Sequence, residues 1–243
     1  ADTNAYFNSY VGTFSGKNMD DGAGNTALGS YALYGGTSAG NDAANCVAVG
    51  ISALEDLTTG DDNVAVGGYA LRDVTTGANN VAVGRNAGDA VTTTSGLVLI
   101  GKNAGTAINH DGAQNSVLIG LDAGLSISSG AANVAVGAQA LDACTVNGWN
   151  TAIGSYCGGL ATGNYNTFLG AKAGENLTTG SSNIYIGFHA EASAVDVTNE
   201  IVIGSTDAFA DALAGGGEET IRVGTDTDYY TLDFGESGES WTH

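Results

Sequence analysis

Apolar runs of three residues, each closed by a glycine, recur along the chain. Val47-Ala-Val-Gly50, Val64-Ala-Val-Gly67, Val81-Ala-Val-Gly84, Val98-Leu-Ile-Gly101, Val117-Leu-Ile-Gly120 and Val134-Ala-Val-Gly137 are six of them. The closing glycine, taken as a marker, falls at 12, 29, 50, 67, 84, 101, 120, 137, 154, 170, 187, 204 and 224. Eight of the twelve intervals are seventeen residues, and the others are 21, 19, 16 and 20. Self-similarity at a fixed period of this size predicts a solenoid, in which each repeat is one coil that buries its apolar face only by stacking on its neighbours. The expected fold class is therefore all-β, a parallel β-solenoid of about 13 coils. At ~4.8 Å per coil it builds a rod on the order of 60 Å long.

The residue before the marker is apolar in every repeat, from Val11 and Leu28 to Ile203 and Val223. Two positions earlier stands Val, Ile, Thr or Ser, on the same face of an extended strand. These two columns are predicted to form the core. The column between them reads Ala27, Ala48, Ala65, Ala82, Ala135 and Ala152, with Tyr10, Phe168, Tyr185 and Arg222 nearer the ends. A guanidinium and phenols do not suit a narrow core, which predicts that this column lies outside. A small, apolar exterior face suits a second chain, so Ala27, Ala48, Ala65, Ala82, Ala135, Ala152, Phe168 and Tyr185 are the expected oligomer interface.

Other columns keep the same register. Asparagine precedes the strand at 8, 25, 63, 80, 133, 150, 166 and 183, predicting a ladder of side-chain amides bonded coil to coil. Alanine stands three residues after the marker at 32, 53, 70, 87, 104, 123, 140, 173 and 190, and Cys157 fills that slot once, which assigns it to packing. Glycine recurs seven before the marker at 22, 60, 77, 130, 163 and 180, where a turn needs positive φ or no side chain. Proline is absent, as expected where interior strands donate hydrogen bonds to the coils beside them.

Charge narrows the partners. Twenty-six acidic residues against six basic ones give a formal charge of −20. Such a surface repels phosphate backbones and anionic headgroups, so nucleic acid and membrane surfaces are not expected partners. No apolar run approaches the ~20 residues of a membrane-spanning helix, and the amino terminus carries no basic-then-apolar signal. The start at Ala1 fits a processed chain or a piece of a longer polypeptide. Cys46, Cys144 and Cys157 are too few for a disulfide framework and lack metal-ligand spacing.

The pattern Asn-x-Ala-Val-Gly, then x-x-Ala, then a Thr-Thr-Gly turn, resembles the head repeats of trimeric autotransporter adhesins and the related repeats of phage tail fibres. It covers about residues 8 to 224, with departures at Cys46, Leu97, Ser116, Glu200 and Thr220, which replace the asparagine, and with coils longer than usual in the adhesin heads. The resemblance implies left-handed β-rolls, three chains side by side, and an attachment role on a virion or cell surface. The number three comes from the resemblance alone. The chain divides into a repeat domain at 1–224 and a capping strand and tail at 225–243. In the tail, "YYTLDF" reads as a last strand, and the closing "ESWTH" is similar to the junction before an endosialidase-type intramolecular chaperone in phage fibres. A chain boundary unrelated to such a cut explains it as simply.

Catalytic patterns are weak. Gly96 to Asn103 approaches a phosphate-binding loop, but Asn103 stands where Ser or Thr would touch magnesium, and the intervening residues read as a core strand. His110, His189 and His243 belong to different coils and read as surface residues. Glu55, Asp73, Asp89, Asp142 and Glu175 form an acidic stripe at a turn. It reads as a solvated edge, with weak Ca²⁺ binding or paired-acid glycan cleavage as the alternatives. No metal ligand set and no catalytic residue is assigned, and the expectation is a non-enzyme. Threonine pairs such as Thr58-Thr59 diverge, which argues against an ice-binding row.

Exposed aromatics are the better binding candidates. Tyr31, Tyr69 and Tyr156 follow markers by two residues, while Trp149 and Tyr165 precede strands. Flat rings on a rigid surface stack on sugars, and they equally cover turns or fill gaps between subunits. The longest interruption of the repeat, Tyr34 to Asn45, adds Tyr34, Asn41 and Asp42 as a lateral contact for a glycan or a neighbouring fibre protein. The leading expectation is a structural and adhesive homotrimeric fibre segment that attaches to a host surface. The alternative is a glycan-degrading tailspike.

Overall fold

The computed structural model describes residues 6–36, 40–205, 213–214, 220–224, 229–233 and 240–242. Each repeat contributes one three-residue strand: β1 Ser9–Val11, β2 Thr26–Leu28, β3 Val47–Val49, β4 Val64–Val66, β5 Val81–Val83, β6 Val98–Ile100, β7 Val117–Ile119, β8 Val134–Val136, β9 Thr151–Ile153, β10 Thr167–Leu169 and β11 Ile184–Ile186. They are followed by β12 Ala190–Glu191, β13 Ile201–Gly204, β14 Leu213–Ala214, β15 Thr220–Gly224, β16 Tyr229–Asp233 and β17 Ser240–Thr242. Strands β1 to β11, then β13 and β15, pair in parallel and in sequence order, as a solenoid requires. The register superimposes the repeats, with Ala48 on Ala65 and Ala65 on Ala82. Beyond β15 the pairing turns antiparallel through β16 and β17, so "YYTLD" is a late strand on the same sheet. Phe234 and His243 lie outside the described residues.

The marker glycine ends each strand. At Gly67 φ is +137°, and a Cβ there would lie 2.6 Å from the Gly84 carbonyl carbon of the next coil, so both conformation and space require glycine. The glycines seven before the marker answer only to space: at Gly60 an added Cβ would run into the Gly77 carbonyl oxygen. Each coil then visits the left-handed region at non-glycine residues as well, for example Asp62, Tyr69 and Leu71.

The two faces of the strand are reversed relative to the sequence expectation. Ala27, Ala48, Ala65, Ala82, Ala135, Ala152, Phe168 and Tyr185 are buried inside their own coil. The flanking residues, such as Val47 and Val49, point out and are half-buried or exposed. The alanine column is thus core, and it cannot also be the surface on which another chain packs.

The reason is volume. Side chains after the marker also turn inward, at Ala53, Leu54 and Leu57 in one coil, so the strand centre has little room. Where the centre is Ala48, Ala65 or Ala135, the residue six positions on is Leu54, Leu71 or Leu141. Where the centre is Leu99, Leu118 or Phe168, it is Gly105, Gly124 or Gly174. Ala82 and Ala152 are instead followed by Gly88 and Gly158, where Leu99 and Phe168 of the next coil fill the space, so close packing balances volume between neighbouring coils as well as within one. The phenol of Tyr185 is accommodated because its hydroxyl donates to Glu200 Oε2 at 2.9 Å, while its ring stacks on Phe168 at 5.8 Å. A buried column through Leu57, Val74, Val91, Ile108, Ile127, Cys144 and Leu177 completes the core.

The asparagine column does form a ladder, but its principal bonds run to the backbone. Asn63 Oδ1 accepts from the Asn80 amide at 3.0 Å, and Asn80 Oδ1 accepts from the Leu97 amide at 3.0 Å. Asn63 Nδ2 donates to the carbonyls of Gly60 and Gly77. Direct amide-to-amide bonds occur at Asn150–Asn133 and Asn183–Asn166. Each asparagine thereby satisfies backbone groups that the turn leaves without a sheet partner.

Candidate interaction faces

The outward face of the long sheet is a stripe of branched apolar side chains. Leu28, Val83, Ile100, Ile153, Leu169, Ile203 and Val223 are exposed, and Val66, Ile119, Val136 and Ile186 are half-buried. Exposed Ile51 and Leu121, one residue past their markers, widen it. Alternation forces the arrangement: with the strand centre turned inward, both neighbours must turn outward.

The expected aromatic contacts divide between two edges of the coil. Tyr31 and Tyr156, after their markers, are exposed, whereas Tyr69 is half-buried with the Arg72 guanidinium 5.9 Å from its ring. Tyr31 lies 5.3 Å from Phe14 and 5.5 Å from the half-buried Tyr34, and Lys17 Nζ sits 4.9 Å and 5.4 Å from the Phe14 and Tyr34 rings. On the edge before the strand, Trp149 and Tyr165 stack at 5.4 Å and 19°, with 57% and 58% of their surface open. Both rings are held by left-handed backbone, at φ 58° and 60°.

The loop beside Tyr34 differs from expectation at one residue. Asn41 is buried, and its Nδ2 donates to the carbonyls of Asn18 at 2.8 Å and Gly36 at 2.9 Å. It holds the insertion to the coil and cannot greet a ligand. Asp42 is exposed. Residues 37–39 of that loop lie outside the described residues.

Chemistry elsewhere is muted. Burial pushes the thiols of Cys46 and Cys144 up to about 11 and that of Cys157 up to about 12, so none is a ready thiolate. The acidic stripe is only partly solvated: burial raises Asp89 and Asp142, and Arg72 offsets it at Asp89. Arg72 forms an ion pair with Asp73. The residues between Gly96 and Gly101 are indeed a sheet strand, with the Val98 amide donating to Ser116 O, so they cannot wrap a phosphate.

His189 overturns its reading as an isolated surface residue. It is 9% exposed, and its Nε2 lies 3.1 Å from Glu191 Oε1 and 3.6 Å from Glu175 Oε2. Glu175 also accepts from Lys172 Nζ at 3.0 Å. Sequence spacing concealed the group, because Glu175 and His189 meet only when one coil stacks on the next.

No family model, curated protein or solved structure matches this chain.

Proposed function

We propose that the chain is a structural and adhesive fibre segment, a homotrimer on a virion or cell surface that mediates attachment to a host surface or glycan. The observation that carries this reading is the outward apolar stripe running from β1 to β15. Covering a half-exposed valine or isoleucine contributes about 1 kcal/mol, and the same gain recurs in every coil. A second copy offers a stripe of the same length and spacing, so self-association matches coil to coil. The charge of −20 discourages association by other faces. The number of copies rests on the resemblance of the repeat to trimeric adhesin and tail-fibre segments. Exposed Trp149, Tyr165, Tyr31 and Tyr156 then offer ring faces for stacking on sugar rings.

The test has two parts. Sedimentation equilibrium on the purified chain should give three times the monomer mass, and a monomer at micromolar concentration would overturn the assembly. Incubation of the assembly with host surface polysaccharide should give retention without release of reducing ends; release would favour a glycan-degrading tailspike.

A further inference from the structure

The structure assigns a binding site for a zinc-class divalent cation to Glu175, His189 and Glu191. This inference is independent of the adhesive reading. Glu175 comes from the turn after β10, and His189 and Glu191 come from the following coil, Glu191 within β12. One ligand atom from each lies within 4.8 Å of the other two, and this is the one such group of histidine, cysteine and carboxylate side chains among the described residues.

Distances suit a small ion. Ligands ~2.1 Å from a tetrahedral centre stand about 3.4 Å from one another. The separations of 3.1 Å and 3.6 Å from His189 Nε2 bracket that value. Only the two carboxylates need to draw together, since all three ligand atoms already lie within 4.8 Å of one another.

The imidazole supplies an observation beyond the carboxylates. His189 is nine-tenths buried, its Nε2 points between the two glutamates, and its Nδ1 has no hydrogen-bond partner among the described residues. A proton on Nε2 would face the two glutamates, whereas Nδ1 is a buried polar atom without a partner whether it carries a lone pair or a proton, which costs free energy. A cation at Nε2 would move that proton to Nδ1. Lacking an outer acceptor there, the site forgoes the 10 to 100-fold gain in affinity that such a partner gives, so it holds the ion more weakly than a closed structural zinc site.

Donor type selects the ion. One imidazole and two carboxylates suit Zn²⁺, Co²⁺ or Ni²⁺, whereas Ca²⁺ and Mg²⁺ prefer oxygen throughout. Two carboxylates balance a divalent charge, and Lys172 can remain on Glu175 Oε1, which it reaches at 3.3 Å, while Oε2 turns to the metal. A bound ion would clamp two successive coils beside the β12–β14 pair, where the regular repeat ends.

The experiment is calorimetric titration of the metal-free chain with ZnCl₂ and separately with CaCl₂, alongside visible spectroscopy with CoCl₂. Expected are one zinc ion per chain, no comparable calcium binding, and intense four-coordinate cobalt bands. Glu191→Gln and His189→Gln should each weaken zinc binding at least tenfold with the circular dichroism of the metal-free chain unchanged. Zinc affinity unchanged in a folded Glu191→Gln chain would overturn the site. Should His189→Gln fail to fold, the unsubstituted chain still decides: no zinc heat, or only weak six-coordinate cobalt absorption, overturns it.

Discussion

Leu99 fills the space that side chains at Gly88 and Gly105 would need: a Cβ at Gly88 would lie 2.5 Å from Leu99 Cδ1, and one at Gly105 would lie 2.9 Å from Leu99 Cδ2. One inward leucine thus does for two coils what Leu54 and Leu71 do elsewhere from the opposite wall.

The complementarity is testable as a swap. Leu99→Ala should open a cavity and cost about 2–5 kcal/mol, read as a lower denaturation midpoint. Gly105→Leu added to it should recover part of that loss. Leu54, Leu71 and Leu141 occupy the equivalent left-handed position at φ 47° to 52°, close to the +60° of Gly105. Gly105→Leu alone should destabilise through overpacking. Additive losses in the double variant would refute the shared-volume account.

Charges on the two strand faces should act differently. Ala65→Glu places an unpaired carboxylate inside the coil and should unfold the chain. Val66→Glu with Val83→Glu alters only the outward stripe, so it should leave circular dichroism intact while light scattering reports smaller particles. Unfolding by both sets, or by neither, contradicts the assignment of faces.

The ladder should be measurable at one rung. Asn133 donates to the carbonyls of Gly130 and Asn147 and accepts from the Asn150 amide. Asn133→Ala leaves these buried groups without partners and should cost about 1–3 kcal/mol. Hydrogen exchange should quicken at the Asn150 amide; unchanged protection there would mean that the strands alone hold the stack.

Alkaline pH should weaken the fold in a defined window. The three thiols titrate near 9.0 when unfolded and are pushed to about 11 to 12 when folded. Between those values the folded chain holds more protons, so stability is complete below pH ~9 and falls as pH rises toward 11 to 12, by roughly 1.4 kcal/mol per unit for each thiol. Replacing Cys144 with Ala should shallow the slope of chemical denaturation midpoint against pH. Rapid alkylation of the folded chain at pH 8 would contradict their burial.

The repeat itself determined the architecture. A glycine at fixed intervals, an asparagine before each short strand and the absence of proline are enough to require stacked parallel coils, because each is a local backbone demand repeated in register. Cys157 was legible as packing for the same reason. Which way the strand faces was not legible. Alternation states that Ala65 and Val66 point oppositely, but not which points in, and only the inward arrival of Leu71 and Val74 from the turn decides that the small residue is core. The turn residues follow no period of two, so strand alternation does not reveal their burial, although the apolar column Leu57, Val74, Val91, Ile108 and Ile127 recurs seven residues after the markers. Likewise His189 gains Glu175 across a coil boundary. Contacts of that kind depend on how one turn sits on the next, which tertiary stacking alone sets.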